Sequence, residues 1–223
     1  MKKLFFLGLV VGLVLVSSSN VYANLITNPG FESGETGWSF FFSTDSAGGH
    51  AIQSPGYGSA NYGENTVSTL SGVSKDGNTF AGYYQKVTDQ TSGAIQPGQL
   101  LYLSGDVKAY NLTSSGGIQG QLQVEFYNSY TINSAYRIWG SDIDTAAVSA
   151  NQDWAHYTAQ GYVPAGAKAF QIVTLDTGEL DNQTGKFGYD NVNVDYAPVP
   201  EPTSLLLLGS GLVGLFGVSR KKK

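Results

Sequence analysis

Between residues 101 and 196 the chain repeatedly alternates apolar and polar side chains with a period of two, and that alternation restricts the fold more than any other feature. In LYLSGDVKAY (101–110), Leu101, Leu103, Val107 and Ala109 fall on one side of an extended strand, and Tyr102, Ser104, Asp106, Lys108 and Tyr110 on the other. QLQVEFYNS (121–129) repeats the pattern, with Leu122, Val124 and Phe126 against Gln123, Glu125 and Tyr127. HYTAQGYV, AFQIVTL and FGYDNVNVDY follow. Gln96-Pro97-Gly98 turns the chain into the first of these strands, and Val-Pro-Ala-Gly-Ala at 163–167 separates two later ones. Apolar spacing at three and four residues persists nowhere in the middle of the chain. Many short strands, each with one apolar face, predict an all-β protein, a β-sandwich or jelly roll whose other strand faces meet water or a ligand. Residues 41–79 hold few long apolar side chains and much glycine, and read as long loops around one or two strands, not as a second domain.

The two ends are of different composition. Met1-Lys2-Lys3, the apolar run from Leu4 to Val16 and the small-residue ending Val21-Tyr22-Ala23 have the order of a secretory signal peptide over 1–23. Cleavage after Ala23 would start the mature protein at Asn24, outside the cytoplasm. About 175 residues remain between the ends, enough for one well-buried domain. There is no cysteine, so neither disulfides nor a thiolate metal site hold it together. Lys2, Lys3, Arg220 and the three terminal lysines lie in the two ends, as does Glu201. The remaining six basic and sixteen acidic residues give a net charge of about −10. Such a surface repels nucleic acid backbones; it is compatible with a neutral polysaccharide and suits a divalent cation.

Two resemblances sharpen this reading. NLITNPGFESGETGW (24–38) resembles the opening of the jelly-roll carbohydrate-binding modules of the xylan- and glucan-binding kind. Trp154, the strand and Pro-Ala-Gly turn of HYTAQGYVPAGAKAFQIVTL, and YDNVNV (189–194) resemble their closing half. The resemblance spans roughly 24–196 and implies a β-sandwich domain over 24–197. It also implies a structural Ca2+ held by a glutamate of the opening motif and an aspartate of the last strand, here Glu32 and Asp190. Asp190 shares parity with Val192 and Val194 and is expected to point inward, where a carboxylate is costly unless paired or on a metal. Where the family often has two adjacent aspartates, this chain has Asp190-Asn191.

The second resemblance covers 198–223. Pro200-Glu201-Pro202, the apolar stretch from Thr203 to Val218 and the basic SRKKK ending resemble the PEP-CTERM sorting signal of Gram-negative bacteria, in which an exosortase recognises Pro-Glu-Pro. Sixteen residues make about 24 Å of helix, short against a bilayer core of about 30 Å. The expectation is therefore a short transmembrane helix making transient membrane contact. It would hold the precursor in the inner membrane with the basic tail inside. Exosortase and the secretion machinery are the implied partners, and the cell surface or extracellular space the destination.

For ligand binding, the polar strand faces carry rings, amides and carboxylates of the kind that stack on sugars and bond their hydroxyls. Tyr102, Tyr110, Gln123, Glu125 and Tyr127 match in parity and are expected to line one sheet face, with Trp139 bordering it from a loop; Trp38 and Trp154 are read as core. Catalysis has little support. His50 and His156 stand in unrelated contexts, and Asp142, Asp144, Asp176, Glu179 and Asp181 read as loop charges rather than as a facing carboxylate pair. The reading is a non-catalytic exported module that binds an extracellular polysaccharide. The alternative is a structural matrix, biofilm or envelope protein on the same sandwich without a sugar site.

Overall fold

The computed structural model describes residues 24–43, 48–68, 79–88, 95–113, 117–178 and 182–196. The signal and sorting segments expected at 1–23 and 198–223 lie outside them. Ten strands are present: β1 (Ser39–Phe42), β2 (Gly49–Gln53), β3 (Tyr62–Ser68), β4 (Thr79–Thr88), β5 (Leu100–Tyr110), β6 (Ile118–Tyr127), β7 (Ile143–Asp144), β8 (Gln152–Tyr162), β9 (Ala169–Gly178) and β10 (Thr184–Tyr196). They form two five-stranded antiparallel sheets, ordered β1-β4-β9-β6-β7 and β2-β3-β10-β5-β8. The fold is the expected all-β sandwich of the jelly-roll kind.

The alternation does what its period requires. Leu101, Leu103, Val107 and Ala109 of β5, Leu122, Val124 and Phe126 of β6, Phe170 and Ile172 of β9, and Phe187 and Tyr189 of β10 are all buried between the sheets. Phe126 meets Phe170 edge-on, with ring centroids 6.3 Å apart. The one or two strands expected within 41–79 are present as β2 and β3. That stretch also holds the end of β1 and the start of β4. Glycine and polar residues obscured the bounds of these strands because β1 and β2 bury little, and because β3 buries Glu64 and Asn65 rather than a run of apolar side chains.

The opening motif is a structural latch. Asn24 donates from Nδ2 to the Val192 carbonyl (2.9 Å) and accepts at Oδ1 from the Val194 amide (3.1 Å), fastening the amino-terminal segment to β10. Asn28 adopts a left-handed backbone (φ 51°) and bonds Ser33, Gly34 and Thr36, closing the turn that follows. Its carbonyl accepts from the Trp38 indole N–H at 2.9 Å, and Trp38 stacks on the fully buried Phe31 at 4.9 Å. Trp38 is core, as read from sequence; Phe31 forms the other half of its stack.

One inward carboxyl interrupts the apolar interior. Asp176 of β9 is completely buried, with Tyr189 donating to its Oδ1 at 2.5 Å. Among the described residues, its Oδ2 and the Oδ1 of Asn65 have no partner. Burial raises the Asp176 carboxyl well above the ordinary carboxylate range, against the opposing pull of its bonds to Tyr189 and Asn65. A carboxyl raised in the folded state contributes stability fully below its unfolded value, and loses it as pH rises through the folded one. Asp176→Asn, isosteric and always neutral, is expected to flatten the decline of unfolding free energy from weakly acidic to alkaline pH, by about 1–3 kcal/mol at the upper end. Urea unfolding across pH measures this; equal slopes for both proteins would contradict a neutral Asp176.

Candidate functional site

The register of the first sheet sets out its outward face rung by rung. Phe80 lies opposite Thr177, and Gly82 lies between Phe41 and Leu175. Tyr84, Val173, Gln123 and Asp144 follow on the next rung, then Lys86, Gln171 and Glu125. Gly82 is required where the strands approach closely, since a Cβ there would sit 1.9 Å from the Thr174 carbonyl oxygen. Beyond β6 the chain folds back over the sheet through 128–142, anchored by Asn128 N–H to Tyr136 O (2.9 Å) and Ile138 N–H to Phe126 O (2.8 Å). Sheet and loop enclose an open trough of about 610 Å³.

Charge in the trough is organised around Arg137. Its guanidinium bridges Glu125 (2.8 Å) and Asp142 (2.7 Å), and lies 4.4 Å from the Trp139 ring centroid. The other carboxylate oxygen of Glu125 accepts from the Tyr127 hydroxyl at 2.6 Å and from Gln171 Nε2 at 2.8 Å. Burial, then the bond to Glu125, carries the Tyr127 phenol far above its ordinary value, so it is a fixed donor. Gln123 donates from Nε2 to Asp144 at 2.7 Å. Trp139 is 68% exposed, backed by Arg137 on one side. The opposite end is apolar and aromatic, with Phe41 5.8 Å from Phe80 and 5.9 Å from Tyr84. The assembly offers an exposed indole, a half-buried aromatic group and a floor of oriented amide and carboxylate groups, which is the chemistry of polyhydroxyl recognition.

The structure divides the expected ligand set. Gln123, Glu125, Tyr127 and Trp139 come together in the trough. Tyr102 and Tyr110 do not: β5 belongs to the second sheet, and both residues face outward on the far side of the sandwich. Matching parity places a residue on an outer face but not on which of two outer faces. Tyr127 is 3% exposed and acts through Glu125 rather than as a platform. Phe41, Phe80, Tyr84, Lys86 and Gln171 were missed; alternation in TFAGYYQKV was the available signal for β4. Trp154, read as core, is half-buried on the outside of the second sheet. There Tyr62, Trp154 and Tyr110 surround the Lys108 ammonium at 3.9, 4.9 and 5.1 Å.

Glu32 and Asp190 do converge, on the loop 56–61, but as acceptors of hydrogen bonds. Glu32 Oε1 accepts from the amides of Ala60 (2.8 Å) and Asn61 (3.3 Å). Asp190 accepts from the amides of Tyr57 (2.7 Å) and Asn191 (2.7 Å) and from the Ser59 hydroxyl. Both carboxylates are engaged by loop donors, and no group of three metal-ligating side chains gathers among the described residues. The contacts described are those of a loop clasp. The inward orientation expected of Asp190 is corrected too. It pairs with Asp106 on the outer face, and a bulge at Asn191 (φ 49°) shifts the register before Val194 meets Leu103. Asp190 is buried because the 56–61 loop covers it.

The carboxylates read as loop charges differ among themselves: Asp142 is paired with Arg137, Asp144 belongs to β7, and Asp176 is core. Glu179 and Asp181 lie outside the described residues. His50 contacts Glu35 at 3.3 Å and His156 contacts Asp106 at 2.8 Å, on different strands.

Residues 198–221 match the PEP-CTERM protein-sorting motif, which supports export to the cell surface by the exosortase route. The expected transmembrane helix is corrected. No helix among the described residues is long and apolar enough to cross a membrane, the single one being a turn of three residues, Ser134–Tyr136. Thr203 to Val218, on which the expectation rested, lie outside those residues. No curated protein matches the chain. Among solved structures, the enzymatically active domain of bacteriophage CBA120 tailspike protein 4 is similar at a TM-score of 0.50 and 14% identity, covering 78% of this chain and 21% of that one. A carbohydrate-binding module of the β-sandwich superfamily gives 0.49 and 12%, covering 74% and 60%. The CBM22-1 and GH10 modules of Clostridium thermocellum endo-1,4-β-D-xylanase 10B, complexed with xylohexaose, give 0.46 and 15%, covering 81% and 28%. The chain thus spans less than two thirds of each of these, and at such identities the likeness is one of fold alone.

Two stability measurements follow from the contacts. Arg137→Met leaves Glu125 buried without its counter-charge and is expected to cost about 3 kcal/mol in urea unfolding, part of which Glu125→Gln in the same background restores. No recovery in the double variant would mean that Arg137 acts through packing alone. Asp190→Ala strands the donors of Tyr57 and Ser59, with an expected loss of about 2–3 kcal/mol and faster proteolytic nicking at 56–61.

Proposed function

We propose that the protein is an exported, surface-associated, non-catalytic module that binds a carbohydrate chain in the trough of the first sheet. One observation carries this reading. Trp139, 68% exposed and backed by the Arg137 guanidinium, stands beside a floor of Gln123, Glu125 and Gln171 whose hydrogen bonds fix their orientation. A ring presented in this way stacks on the C–H face of a pyranose, while oriented amides and carboxylates bond its hydroxyls. A trough open to solvent and lined along several strands suits a chain more than a buried small molecule. Glu125 is committed to Arg137, Tyr127 and Gln171, which suits it to holding a ligand rather than to moving a proton.

In this reading the sorting motif directs exosortase processing at the inner membrane, and the sandwich acts at the cell surface or beyond. The rival role, a structural matrix protein, has its own observation. Tyr57, Tyr102 and Tyr162 are exposed away from the trough and offer surface for protein contacts.

The full-length protein assayed on a glycan array separates the two. Trp139→Ala is expected to weaken binding at least tenfold, about 1.4 kcal/mol. Tyr102→Ala, on the opposite face, leaves it within about twofold. Binding lost with Tyr102 and kept without Trp139 would move the site to the second sheet. A folded protein that binds no glycan would favour the structural role.

A further inference from the structure

The trough is unevenly charged along its length, and the unevenness points to a class of ligand. Five of the six basic residues between the two terminal segments are described; Lys86 and Arg137 line one end of the trough, and Lys168 lies just past that end, before β9 begins. Register places Lys86 on the Glu125 rung. Arg137 bridges to Tyr127 on the next rung, and the Lys168 amide donates to the Tyr127 carbonyl at 2.8 Å.

The acids at this end are already engaged, since Glu125 and Asp142 are both held by Arg137. Lys86 and Lys168 are exposed, and each ammonium lies over a tyrosine ring, 5.3 Å from Tyr84 and 5.9 Å from Tyr130 respectively. Neither has a carboxylate within ion-pair distance among the described residues. On the second sheet, by contrast, Lys186 is paired with Glu64 at 2.7 Å and Lys108 is enclosed by rings.

Acids outnumber bases sixteen to six between the two terminal segments, so cations at random positions would mostly find acidic neighbours. Two ammonium groups with no carboxylate partner among the described residues, at and just past one end of the trough, suit an anionic ligand group and offset the repulsion from the rest of the surface. We infer that the glycan is acidic, with the carboxylate of a uronic acid unit meeting the Lys86 ammonium in the trough and Lys168 adding positive potential from just past its end, and with the C–H faces of the chain running toward Trp139 and the Phe41–Phe80 end. The inference rests on the glycan reading of the trough and adds the ligand's charge to it.

Affinity electrophoresis of the full-length protein in gels containing polygalacturonate, alginate or hyaluronan, each beside its carboxyl-reduced counterpart, tests the charge separately from the sugar. At least tenfold tighter binding to one acidic polymer than to its reduced form is expected. The preference should be erased at about 0.5 M NaCl. It should also be lost in the Lys86→Gln/Lys168→Gln double variant, whose melting curve checks that it is folded. Equal binding to acidic and reduced polymers, binding to neutral glycans only, or a preference that survives the double variant would overturn the inference and leave the glycan-binding reading standing. Failure to bind any glycan, acidic or neutral, would overturn both.

Discussion

The central strands of each sheet bury one face, and that one-sided burial is the constraint on which the remaining features depend. Leu101, Leu103, Leu122, Phe126, Phe170, Ile172 and Phe187 have essentially no exposed surface. Each of these side chains contributes about 1.5–3 kcal/mol by leaving water. Because a strand's side chains alternate, filling the interior fixes which residues must look outward. Gln123 and Glu125 are on the outer face because Leu122, Val124 and Phe126 are needed inside. The trough is thus the reverse side of a packing solution, with its floor on strands whose inner faces fill the core.

Four of the buried carboxylates are each handled by a different device. Glu125 is compensated by a guanidinium and two neutral donors, Glu64 by a lysine at 2.7 Å, and Asp190 by amide and hydroxyl donors of a covering loop. Asp176, with only Tyr189 and Asn65 near it, is raised by burial toward its neutral form. The first of these bears on function. The ion pair with Glu125 also holds Arg137 under Trp139, so the exposed ring is oriented by the electrostatics of the floor. Such preorganisation lowers the side-chain entropy lost when a ligand is bound.

Legibility in the sequence followed the strength of the alternation. β5, β6 and β10 were readable because each carries at least three inward apolar residues in alternation, and β9 because Phe170 and Ile172 alternate in the same way. β1 to β3 were less legible: the inward positions of β3 include Gly63 and Asn65, the latter bonded to Thr174 of β9 at 3.0 Å, while its outward Glu64 is buried against Lys186 of β10 at 2.7 Å. The opening motif was recognised as distinctive, but its work as a latch between Asn24 and β10 spans about 170 residues and leaves no local trace.

The sequence by itself determined the fold class, the outward sides of β5, β6 and β9 and the sorting character of the carboxyl terminus. The reason is local: period-two patterning and ordered terminal motifs act over a few residues and need no partner. Tertiary structure decided which outer face each strand joined, and so brought Gln123, Glu125, Tyr127 and Trp139 together while sending Tyr102 and Tyr110 to the opposite side. It also decided the fate of Asp190, where a one-residue bulge at Asn191 reversed the parity that the sequence appeared to fix. Strand order and bulges are set by pairings between distant segments, and alternation along a single strand carries no information about its neighbours.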